Sequence, residues 1–170
     1  MNEKLQKIQV LVMDVDGVLT DGRIIIDNDG KEIKHFNVKD GYGIHLFKKA
    51  GYKTAIISAR ESAPVSIRAE ALGINRVYQD ANPKTEAYQK LLAEFSVKDE
   101  NVCFIGDDLT DIGVLRKVGF AVAVNDAAAE VKKSVHYVTE QKGGFGAVRE
   151  VIEVILKSQK KWQEVISDYK

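Results

Sequence analysis

The chain has 170 residues, close to the size of one typical domain, and its 25 basic residues balance its 25 acidic ones. A formal charge of zero excludes a broad basic surface for nucleic acid or an anionic membrane, so any charged chemistry must be local. Hydrophobic residues make up 45% of the chain, which is the proportion of a folded protein and excludes general disorder.

Cysteine usage and hydropathy bear on location. The single Cys103 has no partner for an internal disulfide, and one cysteine with three scattered histidines does not make a structural zinc site. The apolar run at residues 8–13 is far shorter than the roughly 20 residues that span a bilayer. We therefore expect a cytoplasmic protein that binds neither membrane nor nucleic acid.

Short apolar runs alternate with longer segments of helical pattern along most of the chain. Unalternated apolar runs that end in turn residues are typical of strands buried on both faces of a parallel sheet. The alternation predicts a doubly wound α/β fold with a mostly parallel sheet. The predicted strands cover residues 10–13, 54–57, 102–105 and 120–124, and the predicted helices cover 43–50, 63–72, 84–95 and 109–118.

Two segments depart from this alternation. Residues 20–36 predict a β-hairpin that projects from the sheet, because Asp27-Asn28-Asp29-Gly30 is a turn sequence between two apolar stretches. Residues 146–170 repeat apolar side chains at helical spacing and predict one or two C-terminal helices. No linker of biased composition interrupts the sequence, so residues 1–170 are interpreted as a single domain.

Acidic residues follow two of the predicted strands. Asp14 and Asp16 come after the first strand, and Asp107 and Asp108 after the third. In open α/β sheets ligands bind outside the carboxyl ends of the strands, so these four carboxylates are expected at one rim. Their mutual repulsion demands a cation or a basic partner.

Magnesium is the expected cation, because it uses a few carboxylates together with water and substrate phosphate. Lys84 adds a second positive charge and Ser58 a neutral hydrogen-bond donor, each beside a predicted strand or helix end. Carboxylates, a lysine, a hydroxyl and a metal together are suited to phosphoryl transfer. A plainer interpretation remains open for each residue alone, as a turn former, a helix cap or a surface charge.

Four segments, taken in order, resemble the motifs of the haloacid dehalogenase superfamily of phosphohydrolases: residues 14–22, residues 56–60, Lys84 and residues 106–111. The resemblance implies that Asp14 is the nucleophile, that Asp16 is the general acid and then base, and that Ser58 and Lys84 contact the phosphate. It also implies a Mg²⁺ site formed by Asp14, the backbone carbonyl of Asp16, and Asp107. Asp108 and Asp111 are then expected to orient that site.

The spacing of the motifs leaves no room for a cap domain. The gap from residue 14 to residue 58 is largely taken up by the hairpin and a helix, and the gap from 58 to 84 by a helix and a short strand. The chain therefore resembles a capless member of the superfamily. Its site is expected to be closed by a large substrate or by a neighbouring subunit.

A narrower resemblance covers nearly the whole chain. Residues 16–22, 36–44, 58–60 and 143–150, together with Arg68, are similar to the 3-deoxy-D-manno-octulosonate 8-phosphate phosphatase family. The resemblance implies a homotetramer whose hairpins meet at its centre and whose C-terminal segments reach toward neighbouring sites. It also implies substrate contacts from Arg60, Arg68, Lys39 and Gly144, with a guanidinium suited to a sugar acid's carboxylate or phosphate.

Other functions remain open at this stage. Within the same chemistry, the alternatives are a phosphatase of a nine-carbon keto sugar phosphate or a promiscuous sugar phosphatase. A phospho-accepting receiver also has an aspartate rim and Mg²⁺, but Asp16 beside the nucleophile favours turnover. A non-catalytic oligomerisation module would have no need of clustered like charges.

Overall fold

The computed structural model describes residues 2–169. The predictions for residues 1–170 and 146–170 therefore include two positions, Met1 and Lys170, that lie outside the described residues. The helices are α1 (Asn2–Gln6), α2 (Val38–Lys49), α3 (Ala63–Leu72), α4 (Lys84–Phe95), α5 (Ile112–Leu115), α6 (Ala129–Lys132), α7 (Ala147–Ser158) and α8 (Trp162–Val165). The strands are β1 (Val10–Met13), β2 (Ile25–Ile26), β3 (Glu32–Ile33), β4 (Lys53–Ile57), β5 (Arg76–Tyr78), β6 (Val102–Gly106), β7 (Phe120–Ala123) and β8 (Tyr137–Val138).

Six strands form one parallel sheet in the order β5-β4-β1-β6-β7-β8. Strands β1, β6 and β7 are buried at every residue, as their unalternated apolar sequences predict. The chain builds the sheet outward from β1 to β5 and then returns to place β6 on the other side of β1. This change of direction makes a crevice between the carboxyl ends of β1 and β6, which is where such sheets bind ligands. The doubly wound α/β prediction is confirmed.

The hairpin prediction is also confirmed. Strands β2 and β3 pair with each other in an antiparallel sheet separate from the large one. The Asp27 carboxylate accepts hydrogen bonds from the backbone N–H groups of Asp29 and Lys31, which stabilises the turn between them. The paired strands are only two residues each, shorter than the predicted apolar stretches.

Several elements differ from the sequence prediction for identifiable reasons. Helix α2 begins at Val38 rather than residue 43, because Gly41 and Gly43 weaken its local helical signal while packing against α7 supports it. The predicted helix 109–118 is a 3₁₀ turn followed by the short α5, since the Asp111 side chain folds back onto the turn before it. The short strand expected between residues 58 and 84 is β5, whereas β8 is not predicted; neither edge strand carries a buried apolar run that would fix its bounds.

The C-terminal prediction of one or two helices is confirmed by α7 and α8. The apolar face of α7 is buried, and α7 packs mainly on α2. Across the described residues, the buried apolar side chains form one hydrophobic core, as expected for a single domain. The single-domain interpretation stays a prediction. No helix within residues 2–169 is long and apolar enough to cross a membrane.

Candidate active site

A cavity of about 280 Å³ opens at the carboxyl edge of the sheet, at the crevice between β1 and β6. Side chains reach it from the ends of β1, β4 and β6 and from the start of α4. The prediction that separate segments meet at one rim is therefore borne out geometrically. The lining residues are Asp14, Asp16, Gly22, Ser58, Ala59, Arg60, Lys84, Asp107, Asp108 and Thr110.

Lys84 lies between two buried carboxylates. Its Nζ is 2.8 Å from Asp14 Oδ1 and 2.6 Å from Asp111 Oδ1. All three residues are almost entirely removed from solvent, with Asp14 the most exposed at 7%. As the first residue of α4, Lys84 owes its place to the helix start that follows Pro83. A buried ammonium of this kind is stable only because it is paired.

Asp111 holds Lys84 and the turn that follows β6 in place. Its Oδ1 accepts from Lys84, and its Oδ2 accepts from the backbone N–H of Asp107 at 2.9 Å and of Asp108 at 3.3 Å. Both carboxylate oxygens are therefore already engaged with the protein. This arrangement suits the orienting role expected for Asp111. Asp108 is exposed at the cavity and caps the following turn, where its side chain accepts from Leu109 N–H.

Asp107 has the least satisfied carboxylate of this group. Its Oδ1 is buried without a hydrogen-bond partner. Gly17 lies directly beside it, in a left-handed conformation, and a Cβ there would stand 2.1 Å from Asp107 Oδ2. Oxygen atoms of Asp14, Asp107 and Asp111 lie within 4.8 Å of one another. An orphaned oxygen inside an all-oxygen donor set fits a hard divalent cation such as Mg²⁺.

Proton affinities in this cluster are strongly shifted. Burial raises the pKa of Asp14 to about 6, with Asp111 adding to the rise and Lys84 opposing it. Burial, followed by the charges of Asp14 and Asp111, raises the pKa of Asp107 to about 8. Burial alone would lower the pKa of Lys84, yet the two carboxylates beside it raise it above its ordinary value. We name Asp14, Lys84, Asp107 and Asp111 the acidic wall.

Asp16 lines the same cavity and belongs to a second cluster of charged side chains. Its Oδ1 accepts a hydrogen bond from Lys34, and its Oδ2 lies 3.6 Å from Nη1 of Arg60. Glu32 joins both cations, since its Oε1 is 3.2 Å from Lys34 Nζ and 3.1 Å from Arg60 Nη2. A hydrogen bond from Ser62, with smaller contributions from Lys34 and Arg60, lowers the pKa of Glu32. We name these four residues the hairpin wall: Asp16 and Arg60, which line the cavity, and Glu32 and Lys34, which contact them but do not line it.

Ser58 lines the same cavity as both walls. It is buried at the end of β4 and accepts a hydrogen bond on Oγ from the Arg60 backbone N–H at 3.3 Å. The loop that follows β4 thus carries both the hydroxyl and the guanidinium that were predicted to contact substrate. Their roles stay predictions.

Three predicted substrate-binding residues do not line this cavity within the chain. Arg68 belongs to α3, and its side chain extends toward α2. Its guanidinium is 5.9 Å from the centre of the Phe36 ring and lines a separate hollow. Lys39 is exposed in the first turn of α2. Gly144 packs behind the turn that follows β1, where its N–H donates to the Val18 carbonyl and a Cβ would meet the Asp21 amide at 2.5 Å.

Sequence reasoning missed Lys34 and Glu32 altogether. Both belong to the hairpin, at β3 and immediately after it. Their spacing of two residues places both side chains on one face of an extended chain, which was a usable signal. Nothing local, however, indicates that this face turns toward Asp16, which precedes Lys34 by 18 positions.

Comparison with known proteins agrees with this geometry. Residues 73–152 match the family model of the haloacid dehalogenase-like hydrolases. The 3-deoxy-D-manno-octulosonate 8-phosphate phosphatase KdsC of Yersinia pestis is 45% identical over 159 residues, which cover 94% of this chain and 85% of that protein. A probable phosphatase structure from Pseudomonas syringae superposes with a TM-score of 0.96 at 44% identity, covering 99% of this chain and 96% of the other.

A further solved structure carries ligands. The 3-deoxy-D-manno-octulosonate 8-phosphate phosphatase of Moraxella catarrhalis, in complex with magnesium, phosphate and the KDO molecule, superposes with a TM-score of 0.97 at 38% identity. That match covers 99% of this chain and 97% of the other. The resemblance drawn from the four motifs is confirmed by these comparisons, and the chain belongs to the 3-deoxy-D-manno-octulosonate 8-phosphate phosphatase family of haloacid dehalogenase-like hydrolases.

Proposed function

We propose that this protein is a Mg²⁺-dependent phosphatase that hydrolyses 3-deoxy-D-manno-octulosonate 8-phosphate to the free sugar acid and inorganic phosphate. The observation that carries the proposal is the meeting of four side chains around one cavity: Asp14, Asp16, Lys84 and Asp107. Relatives of that activity, 44–45% identical over most of the chain, support the choice of substrate.

In the first step Asp14 acts as the nucleophile. A carboxylate oxygen of Asp14 bonds to phosphorus, the bond from phosphorus to the oxygen on C8 of the sugar breaks, and an aspartyl-phosphate forms. Asp16 gives a proton to the departing oxygen, which leaves as a hydroxyl rather than an alkoxide. Both side chains line one cavity, so both can reach a single phosphate group bound there.

In the second step the aspartyl-phosphate is hydrolysed. Asp16, now a carboxylate, takes a proton from water, and the resulting hydroxide bonds to phosphorus as the bond to Asp14 breaks. Phosphate leaves and both aspartates return to their starting forms. Splitting one difficult displacement into two easier ones is the advantage of covalent catalysis.

The other residues of the acidic wall prepare the phosphate site. Lys84 neutralises charge on the phosphoryl oxygens while Asp111 holds its ammonium in place. Asp14, Asp107 and the backbone carbonyl of Asp16 would hold Mg²⁺. When bound, the ion supplies positive charge that masks the phosphoryl oxygens from an anionic nucleophile. The orphaned Asp107 Oδ1 and the raised pKa of Asp107 support this assignment.

Substrate selection falls to the hairpin wall. Arg60 is half-exposed at the cavity and aimed by Glu32, so its guanidinium is available to a carboxylate of the sugar acid. Ser58 donates to a phosphoryl oxygen. Contacts from Arg68, Lys39 and Gly144 stay predictions, because none of these residues lines the cavity of its own chain.

We also propose assembly as a homotetramer through the hairpin. Ile24, Ile26 and Ile33 lie on or beside its strands and expose 43–63% of their surfaces, which is unusual for large apolar side chains grouped on one projection. Light scattering coupled to gel filtration gives the subunit number. A cytoplasmic location is likewise a proposal, based on the single cysteine.

The deciding experiment is phosphate release from a panel of sugar phosphates, with Mg²⁺ and with a chelator. We expect turnover of 3-deoxy-D-manno-octulosonate 8-phosphate that the chelator abolishes, and no turnover by Asp14→Asn. Preference for a nine-carbon keto sugar phosphate, or equal turnover of unrelated sugar phosphates, would overturn the substrate. A long-lived aspartyl-phosphate without continued release would indicate a receiver, and inertness toward every phosphate would leave an oligomerisation module.

A further inference from the structure

Lys34 is a buried charged residue that the proposed mechanism does not use. Its side chain is only 1% exposed, although it comes from a projecting hairpin. Its ammonium contacts two groups, the carboxylate of Asp16 and Oε1 of Glu32 at 3.2 Å. Because an unpaired ammonium in this position would be costly, the lysine depends on these carboxylates for its burial.

Two cations constrain the Asp16 carboxylate, one at each oxygen. Lys34 takes Oδ1, and Arg60 faces Oδ2 from the other side at 3.6 Å. An aspartate at the mouth of a cavity otherwise samples several side-chain rotamers. With a cation at each oxygen, the plane of the Asp16 carboxylate is defined before substrate binds.

Lys34 is itself held in place by Glu32, which does not line the cavity. Glu32 accepts from Lys34 and Arg60 on Oε1 and from the Ser62 hydroxyl on Oε2, which ties β3 to the loop that precedes α3. Lys34 does not line the cavity, whereas Asp16 does. The lysine therefore lies behind the general acid and base rather than in front of it, where substrate would be.

We propose that Lys34 is a positioning residue, which fixes the Asp16 side chain so that its carboxyl group faces the leaving oxygen of the substrate. The proposal rests on the proposed phosphatase function. Misplacement of a catalytic group by about 1 Å costs up to roughly 10²-fold in rate. Lys34 acts through Asp16, and its loss should therefore be felt in the steps that use Asp16.

The test compares two substrates that differ in their need for a proton. The sugar alkoxide of 3-deoxy-D-manno-octulosonate 8-phosphate leaves poorly unless Asp16 protonates it, whereas the phenolate of p-nitrophenyl phosphate leaves without help. Only the first step differs between the two substrates, because hydrolysis of the aspartyl-phosphate uses Asp16 as a base in both cases. We therefore expect Lys34→Met to lower the single-turnover rate of alcohol release, measured with enzyme in excess, by about 10- to 100-fold for the sugar phosphate and by less than about threefold for the aryl phosphate, and to change neither KM by more than about twofold.

Lys31→Met is the matched control, because Lys31 belongs to the same hairpin and is exposed. It should leave the rates of alcohol release from both substrates unchanged. Equal losses of this first-step rate on the two substrates by Lys34→Met would indicate a merely structural residue. A rise in KM alone would indicate a substrate contact. Unchanged kinetics would show that Asp16 needs no such support. Each of these results overturns the proposal.

A measurement on the wild-type protein covers the case in which Lys34→Met does not fold. A crystal structure of the Mg²⁺-loaded enzyme, free of substrate, should place Lys34 Nζ within hydrogen-bond distance of Asp16. A separation above about 4 Å would overturn the proposal. Failure of the wild-type enzyme to release phosphate from either substrate would instead count against the proposed function. The crystal structure would still show whether Lys34 fixes the Asp16 side chain.

Discussion

Asp14 and Asp16 are two residues apart in the sequence, yet their carboxylates belong to walls with different electrostatics. In the acidic wall, three carboxylates face the single ammonium of Lys84, and burial raises the pKa of Asp14 and Asp107. In the hairpin wall, two carboxylates face the two cations Lys34 and Arg60. The acidic wall therefore has more acidic than basic groups, whereas the hairpin wall has equal numbers of each.

The difference assigns separate tasks to the two walls. The acidic wall is built on the ends of β1 and β6 and on α4, so it belongs to the rigid framework of the sheet. Its missing positive charge is what a divalent cation supplies. The hairpin wall is mixed, because Asp16 and Arg60 follow strands of the same sheet whereas the two remaining members come from the hairpin. Its charges compensate one another without metal. Variants in the acidic wall should therefore affect metal-dependent chemistry, whereas variants in the hairpin wall should affect the position of Asp16 or the selection of substrate.

The largest effect is expected from Lys84→Met. Removal of the only ammonium of the acidic wall leaves buried carboxylates without their partner and the phosphoryl group without its stabiliser. We expect kcat to fall by about 10²–10³-fold in saturating Mg²⁺, measured as phosphate release. Lys90→Met, an exposed change on the same helix, should retain wild-type activity. A loss of less than about fivefold would show that the acidic wall does not perform the chemistry.

Metal dependence of stability comes next. The folded protein raises the pKa of Asp14 to about 6 and of Asp107 to about 8 from an ordinary value near 4, so without metal it binds more protons than the unfolded chain. These groups therefore lower the stability of the metal-free protein as the pH rises from about 4 to about 8. Mg²⁺ requires both carboxylates ionised and relieves their repulsion.

We accordingly expect Mg²⁺ to raise Tm more at pH 8.5 than at pH 5, as measured by thermal unfolding with and without the ion. Added NaCl at matched ionic strength is the control for screening. An equal or larger shift at the lower pH would contradict the assignment of the metal to the acidic wall.

The smallest effect is expected from the loss of Arg60. Arg60→Ala should raise KM for 3-deoxy-D-manno-octulosonate 8-phosphate about tenfold, the value of one charge-assisted contact, and leave KM for p-nitrophenyl phosphate unchanged. Steady-state kinetics on both substrates measure the difference. Arg76→Ala removes an equally exposed arginine on the remote edge strand and should change neither value. Equal rises on both substrates would remove Arg60 from substrate selection.

Local patterns were sufficient for the acidic wall. Its aspartates directly follow strands whose apolar runs are buried on both faces, and the carboxyl ends of parallel strands share one edge. Position in sequence and position in space are therefore coupled for Asp14 and Asp107. The pairing of Lys84 with Asp111 was not predicted, because it depends on how far the 3₁₀ turn after β6 folds back.

Local patterns were insufficient for the hairpin wall. The turn sequence at 27–30 predicted the hairpin correctly, but not the direction in which it projects. The edge strand β8 was not predicted and β5 was expected only as a short strand without bounds, since partly exposed strands lack the apolar run that marks a central one. Arg68, Lys39 and Gly144 lie away from the cavity because their segments serve packing within the chain.

The amino-acid sequence by itself determined the parallel α/β framework, the edge at which the site lies and the residues Asp14, Asp16, Ser58, Lys84 and Asp107 that reach it. For the four residues other than Lys84, this follows from periodicity and from the polarity of a strand, which are properties of a few consecutive residues. Lys84 was chosen for its charge and through the resemblance to the superfamily motifs. The tertiary structure alone decided that Lys34 and Glu32 join Asp16 and that Arg68 does not. Those contacts depend on the burial of charge between distant segments, whose cost is settled only when the whole chain has packed.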